Sequence, residues 1–167
     1  MITQPKLEQR KEQYYAAIRT AVPIPFGKYL QPLWVEVDHW LRSQGIPLTS
    51  SGPALIRYLT TDMSKKLDIE VGFTIDKVMP GSDRIIVDVL PAGQYATLLY
   101  TGSFKGKGIY NATVALLDWA AANHIVWDTS IKNNVEWWNG RVEFYLTDPA
   151  KEPDPKKYQT ELAFLVK

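Results

Sequence analysis

Apolar and polar residues alternate along several short stretches of the chain, which is the pattern of β-strands with two different faces. The clearest stretch runs from 137 to 147, where every second residue is apolar and the residues between them include Arg141, Glu143 and Tyr145. One face of this strand is therefore apolar, and the other carries a carboxylate beside an aromatic ring. Comparable runs predict further strands at 13–21, 54–60, 67–75, 84–90, 94–100 and 158–166.

Two longer stretches repeat their apolar residues every three or four positions, which predicts amphipathic helices. The first covers 28–44 and is followed by Gly45, a residue that favours the end of a helix, and the second covers 109–123. Residues 1–12 are predicted to be an N-terminal arm or an incoming strand, ahead of a single domain at 13–167. Turns or loops are predicted at 62–66, 78–83, 101–108, 124–134 and 148–157.

The two halves of the chain, about 13–80 and 81–167, resemble one another. Trp40 and Trp119 are 79 positions apart, and so are Ile46 and Ile125. Each half reads as strand, helix, strand, strand, and repeated βαββ units usually pack their helices on one side of a shared antiparallel sheet. We therefore predict an α+β fold with a ligand cleft at the seam between the halves.

Composition and charge exclude several classes of function. The 167 residues carry 19 Lys and Arg against 18 Asp and Glu, so the chain lacks the basic field that a general nucleic-acid binder needs. The absence of cysteine excludes disulfides and thiol catalysis. Because there are only two histidines, a histidine-rich metal site has few possible ligands. No apolar run approaches the roughly 18 residues that span a membrane, and we expect a cytoplasmic protein without a cofactor.

Aromatic residues are the unusual feature of the composition, at 12% with six Trp and nine Tyr. Glu143 stands beside Tyr145 and shortly after Trp137 and Trp138. A carboxylate among rings suits a cationic or polarised organic molecule, because the rings offer cation–π and apolar contacts and the carboxylate offers the counter-charge. In the other half Ile56 stands where Glu143 stands, whereas the repeated glutamates, Glu70 and Glu161, are expected to be structural.

A set of short motifs, taken in order, resembles the GyrI-like small-molecule-binding domain, the effector-binding domain of bacterial transcription activators. The motifs are GPA at 52–54, LDIEVGF at 67–73, LPAGQYA at 90–96, YTGSF at 100–104, and EFY at 143–145 followed by DP at 148–149. The resemblance covers about 13–166 and implies two βαββ repeats around a pseudo-two-fold axis, with a cleft between them. It also implies a glutamate near the cleft floor, matched here by Glu143, which receives lipophilic cations in multidrug-responsive members.

The resemblance also indicates which aromatic residues would line the cleft. Because Trp137 and Trp138 are adjacent in an extended segment, at most one of them is expected to face the ligand. The full set of predicted ligand-binding residues is Glu143, Tyr145, Trp138, Trp137, Tyr110, Phe104, Trp34 and Tyr29. Only about a dozen residues precede the resemblance, so we expect a stand-alone domain without direct nucleic-acid or membrane binding.

Three functions stay open at this point. The first, which we favour, is a binding protein for a small lipophilic or aromatic ligand. The second is a hydrolase of electrophilic, cyclopropane-type toxins, in which Glu143 activates water and a tyrosine such as Tyr145 or Tyr110 assists the leaving oxygen. The third is a regulator that binds a protein partner through its surface, as the gyrase-inhibitor members of the superfamily imply.

Overall fold

A computed structural model describes residues 1–47 and 50–167. These residues form one eight-stranded antiparallel sheet, a separate two-stranded hairpin and two α-helices. The helices are α1 (Leu30–Ser43) and α2 (Gly108–Ala122). The strands are β1 (Lys6–Arg10), β2 (Gln13–Val22), β3 (Ser51–Tyr58), β4 (Leu67–Ile75), β5 (Ile86–Leu90), β6 (Gly93–Thr101), β7 (Thr129–Lys132), β8 (Val135–Trp138), β9 (Arg141–Tyr145) and β10 (Gln159–Leu165).

The large sheet has the strand order β1-β6-β10-β9-β3-β4-β2-β5, with β9 and β3 at its centre. Its edge strands are β1 and β5. The consecutive strands β1 and β2 pair with the consecutive strands β6 and β5, so the same two chain segments form both edges. Arg10 lies opposite Gly93, and Gln13 lies opposite Leu90. The sheet must therefore curl until its edges approach each other. The leading strand of each half completes the sheet of the other half, and the pseudo-two-fold repeat itself stays a prediction.

The curl gives the sheet an outer face, which carries both helices, and an inner face. On the outer face α1 packs Val37 and Leu41 against Ile18 of β2, and α2 packs Leu116 against Leu162 of β10. On the inner face, side chains from six strands form one apolar cluster: Tyr15, Ala17, Leu55, Leu90, Tyr95, Val142, Phe144, Ala163 and Leu165. The predicted α+β class, with an antiparallel sheet and helices on one side, is confirmed.

The prediction of one strand over 137–147, approached by a loop over 124–134, is wrong. The chain forms a hairpin of β7 and β8, and β9 begins only after a turn at Asn139 and Gly140. Asn133 and Asn134 connect β7 to β8 with φ angles of 53° and 62°. Asparagine tolerates this left-handed backbone, which two-residue hairpin turns require. The apolar character of Val135–Trp138 thus belongs to a separate element.

The remaining elements lie close to their predicted positions, and β4 matches the predicted 67–75. The arm predicted at 1–12 contains β1, which is an edge strand of the large sheet. Within 1–47 and 50–167 no helix combines the length and the apolarity that crossing a membrane requires.

Candidate functional site

Glu143 occupies the centre of the outer face. It lies in the middle of β9, opposite Ile56 of β3 on one side and Leu162 of β10 on the other. Ile56 belongs to the apolar cluster under α1, and Leu162 belongs to the cluster under α2. The carboxyl group therefore lies at the seam between the two helices. Glu143 is only 8% exposed.

Two tyrosines supply hydrogen bonds to this buried carboxyl group. The Tyr145 hydroxyl donates to Glu143 Oε2 over 2.6 Å, and the Tyr58 hydroxyl is a second hydrogen-bond partner. Burial raises the pKa of Glu143, whereas the two hydroxyl groups and the nearby charge of Arg141 act in the opposite direction. Burial also raises the pKa of Tyr145 and of Tyr58 well above 10, so both hydroxyls stay protonated as donors.

The ring of Tyr145 lies between two other aromatic side chains. Trp34 of α1 meets it edge-on with ring centroids 5.3 Å apart, and Phe104 meets it edge-on at the same distance. The Trp34 indole N–H donates to the carbonyl oxygens of Leu55 and Gly72. These hydrogen bonds hold α1 against the central strands and fix the position of the indole.

The aromatic surface continues on both sides of this trio. Phe104 packs against Tyr158 with centroids 4.7 Å apart, and Tyr58 packs edge-on against Phe26 at 6.1 Å. All of these rings are partly exposed. They form a partly exposed aromatic surface around the ring of Tyr145.

A cation of the chain itself lies next to Glu143. Arg141 shares the outer face, because it is two positions before Glu143 on β9. Its Cζ lies 4.6 Å from the ring centroids of both Trp138 and Phe164. Burial lowers the pKa of Arg141, and the charge of Glu143 opposes that effect.

Only some of the predicted residues come together. Glu143, Tyr145, Trp34 and Phe104 form the cluster described above, and Trp138 approaches it through Arg141. The other three predicted residues lie elsewhere. The guanidinium carbon of Arg19 lies 5.7 Å from the ring centroid of Trp137. Tyr29 is 38% exposed and Tyr110 is 63% exposed.

Sequence reasoning missed Tyr58 and Arg141. Tyr58 matches Tyr145 in the internal repeat, and Arg141 shares the parity of Glu143 on its strand, so both signals were present in the sequence.

A second buried glutamate, Glu70, lies on the inner face and is 3% exposed. Its Oε1 accepts a hydrogen bond from the Tyr15 hydroxyl over 2.6 Å and lies 3.6 Å from Arg57 Nη1. Arg57 also donates to the Tyr15 hydroxyl and to the Asn139 carbonyl oxygen. Every member of this triad has partners within the protein, which is the arrangement of a structural network.

Two cavities of about 370 and 460 Å³ open from the inner side of the sheet, and Glu161 lines both. Glu143 lines neither of them. We nevertheless place the candidate site at Glu143, because a buried carboxyl group, two hydroxyl donors and several rings converge there. In the described part of the chain no three His, Asp or Glu side chains are grouped as metal ligands would be.

Similar folds occur among solved structures. The chain in the cryo-EM structure of an EcmrR–DNA complex has a TM-score of 0.80 at 21% identity, with 98% of the present chain and 57% of that chain covered. A crystal structure of the EcmrR C-terminal domain has a TM-score of 0.76 at 19% identity, covering 98% and 97%. The present chain thus spans little more than half the length of EcmrR and corresponds to its C-terminal domain.

Two further structures are similar over nearly their whole length. A hydrolase from Listeria innocua has a TM-score of 0.62 at 13% identity, covering 98% of this chain and 92% of that one. SAV2435 bound to tetraphenylphosphonium has a TM-score of 0.59 at 13% identity, covering 99% and 94%. At these identities the likeness establishes the fold.

No curated protein matches the sequence at a significant level. The family described as the GyrI-like small molecule binding domain matches residues 3–167, which is nearly the whole chain. The chain belongs to the family of GyrI-like small-molecule-binding domains.

Proposed function

We propose that this domain binds lipophilic aromatic molecules that carry a positive charge, with Glu143 as their counter-charge. The observation that carries the proposal is the convergence of a buried carboxyl group, the hydroxyls of Tyr145 and Tyr58, and an aromatic surface between the helices. Rings bind the apolar body of such a ligand, and the carboxylate selects its charge.

The charge of the ligand follows from the electrostatics of Glu143. An ionised carboxylate is costly to bury, and burial raises the pKa of Glu143 by more than the two hydroxyl groups and the charge of Arg141 lower it. A bound cation would remove that cost, so the domain gains most from a ligand that brings the charge with it. The structure of SAV2435, a protein of similar fold, contains a lipophilic cation, tetraphenylphosphonium.

Comparison of two flat dyes tests this proposal. We expect 10-methylacridinium, a permanent cation, to bind at least about tenfold more tightly than neutral acridine at pH 8, because a desolvated ion pair adds roughly 1.4 kcal/mol or more. Trp34 touches Tyr145 at the site, so tryptophan fluorescence can report binding, with calorimetry as confirmation. Equal affinities for the two dyes would contradict the role of Glu143 as a counter-ion.

A second candidate is hydrolysis of an electrophilic aromatic substrate. It is favoured by the 2.6 Å hydrogen bond between Glu143 and Tyr145, which joins a possible general base to a possible proton donor. The oxygen of the attacking water would bond to a cyclopropane carbon while Glu143 accepts its proton. The carbon–carbon bond that breaks would leave its electron pair on the conjugated carbonyl oxygen, which would take a proton from Tyr145. Glu143 would then return its proton to Tyr145 along their hydrogen bond. Product formation from a cyclopropane-bearing substrate, abolished by both Glu143→Gln and Tyr145→Phe, separates this candidate from simple binding.

A further inference from the structure

The guanidinium group of Arg141 already occupies an aromatic environment beside the proposed site. Its Cζ lies 4.6 Å from the centroids of Trp138 and Phe164 and 5.9 Å from that of Tyr58. These are cation–π distances. The three rings therefore hold a cation that belongs to the chain, and the proposed function gives this cation no role.

Arg141 has unused hydrogen-bonding capacity. Within residues 1–47 and 50–167 it forms no ion pair, and its Nε atom is buried without a hydrogen-bond partner. A guanidinium group carries five N–H donors, and ring faces accept them only weakly. Arg57, on the inner face, also has a buried Nε without a partner, but its two terminal nitrogens donate to Tyr15 and Asn139.

Arg141 and Glu143 place opposite charges side by side on the outer face. They are two positions apart on one strand, so their Cα atoms are about 7 Å apart. Arg141 repels a simple cation that Glu143 attracts. A ligand with a cationic group and, several ångströms away, a hydrogen-bond acceptor would interact favourably with both residues.

We propose that the ligand of this domain is an aromatic zwitterion, a flat cation that also carries a carboxylate. Its positive end lies at Glu143, and its carboxylate accepts hydrogen bonds from Arg141. This inference rests on the proposed function, because it assumes that Glu143 receives the positive end. It makes Arg141 the residue that selects among aromatic cations.

Two dyes with the same xanthene cation test the selection. Rhodamine 110 carries a free carboxylate, and rhodamine 123 is its methyl ester. We expect the wild-type domain to bind rhodamine 110 about tenfold more tightly, since charge-assisted hydrogen bonds to Arg are the strong ones. Arg141→Gln should bring the two affinities within about twofold by weakening rhodamine 110 and strengthening rhodamine 123.

Arg141→Lys is the matched variant, because it keeps the charge and should keep the preference for rhodamine 110. It also provides the test if thermal unfolding shows that the glutamine variant is not folded. An unchanged ratio of affinities in Arg141→Gln, or a wild-type preference for the ester, would overturn the inference. If Glu143→Gln weakens both dyes in that case, the proposed function stands without it. If Glu143→Gln weakens neither dye, the proposed function fails as well.

Discussion

Replacing Glu143 with glutamine is expected to weaken the binding of 10-methylacridinium about a hundredfold, which corresponds to about 2.7 kcal/mol. The loss lies within the roughly 2–5 kcal/mol found when one partner of a buried charge pair is removed. Glutamine has nearly the same shape, and its amide oxygen can still accept the hydrogen bond from Tyr145. The substitution therefore removes the charge and leaves the apolar surface in place.

Neutral acridine provides the internal control for this measurement. Its affinity should change less than about threefold, because the aromatic contacts do not depend on the charge of the carboxylate. Glu136→Gln is the control for removal of a negative charge elsewhere, since Glu136 is exposed on β8. An equal loss for both dyes in Glu143→Gln, or a large loss in Glu136→Gln, would argue against a specific counter-charge.

Replacing Glu70 with alanine should lower the free energy of unfolding by about 3–5 kcal/mol, the usual cost of removing one partner of a buried ion pair. The side chain of Arg57 is only 12% exposed and would lose its carboxylate. Tyr15 is fully buried and would lose the acceptor of its 2.6 Å hydrogen bond. Urea unfolding followed by circular dichroism measures the change.

Glu161→Ala is the matched control for Glu70→Ala. Glu161 is the predicted counterpart of Glu70 in the other half of the chain, and it is paired with Arg10 at 2.9 Å. Both side chains of this pair are about a quarter exposed, so the loss should be about 1 kcal/mol or less. Similar losses of unfolding free energy in the two variants would show that the contribution of Glu70 to stability does not depend on the burial of its ion pair.

Local periodicity was enough to predict most of the fold. The sheet packs helices on one face and an inner cluster on the other, so its central strands carry regular patterns, as β4 does. The sequence of β1, KLEQR, has no apolar face, so periodicity does not distinguish a strand from an arm over 1–12. An edge strand of this kind is defined by its pairing with β6, which no local pattern shows.

The sequence predicts which residues of β9 share a face with Glu143, but it does not predict which residues of other elements contact Glu143 and Tyr145. Alternation along 141–145 correctly places Glu143 and Tyr145 on the same face. Contacts with Tyr58 depend on β3 lying beside β9, and the contact with Trp34 depends on how α1 packs on the sheet. Both are long-range features. The sequence signal for Tyr58 was the match between residues 58–60 and 145–147, both of which read YLT.

The assignment of 137–147 to one strand shows a different kind of error. Val135–Trp138 is as apolar as a continuing strand, so periodicity alone could not separate β8 from β9. Asn133 and Asn134 were the available signal, because consecutive asparagines suit a two-residue hairpin turn. Turn chemistry was the better guide at this point than hydrophobicity.

The central claim is that the carboxylate of Glu143 receives the positive charge of the ligand. Its most direct test is a carbon-13 NMR titration of the glutamate carboxyl groups, with the Glu143 signal assigned from Glu143→Gln, in the free domain and with saturating tetraphenylphosphonium. Burial raises the pKa of Glu143 in the free domain, and a cation that prefers the carboxylate must lower it again. By linkage, the affinity for the cation should then rise with pH and level off above the pKa of the free domain. We predict that saturation lowers the pKa of Glu143 by at least about one unit, equivalent to roughly 1.4 kcal/mol. A pKa that is the same with and without the bound cation would contradict the account.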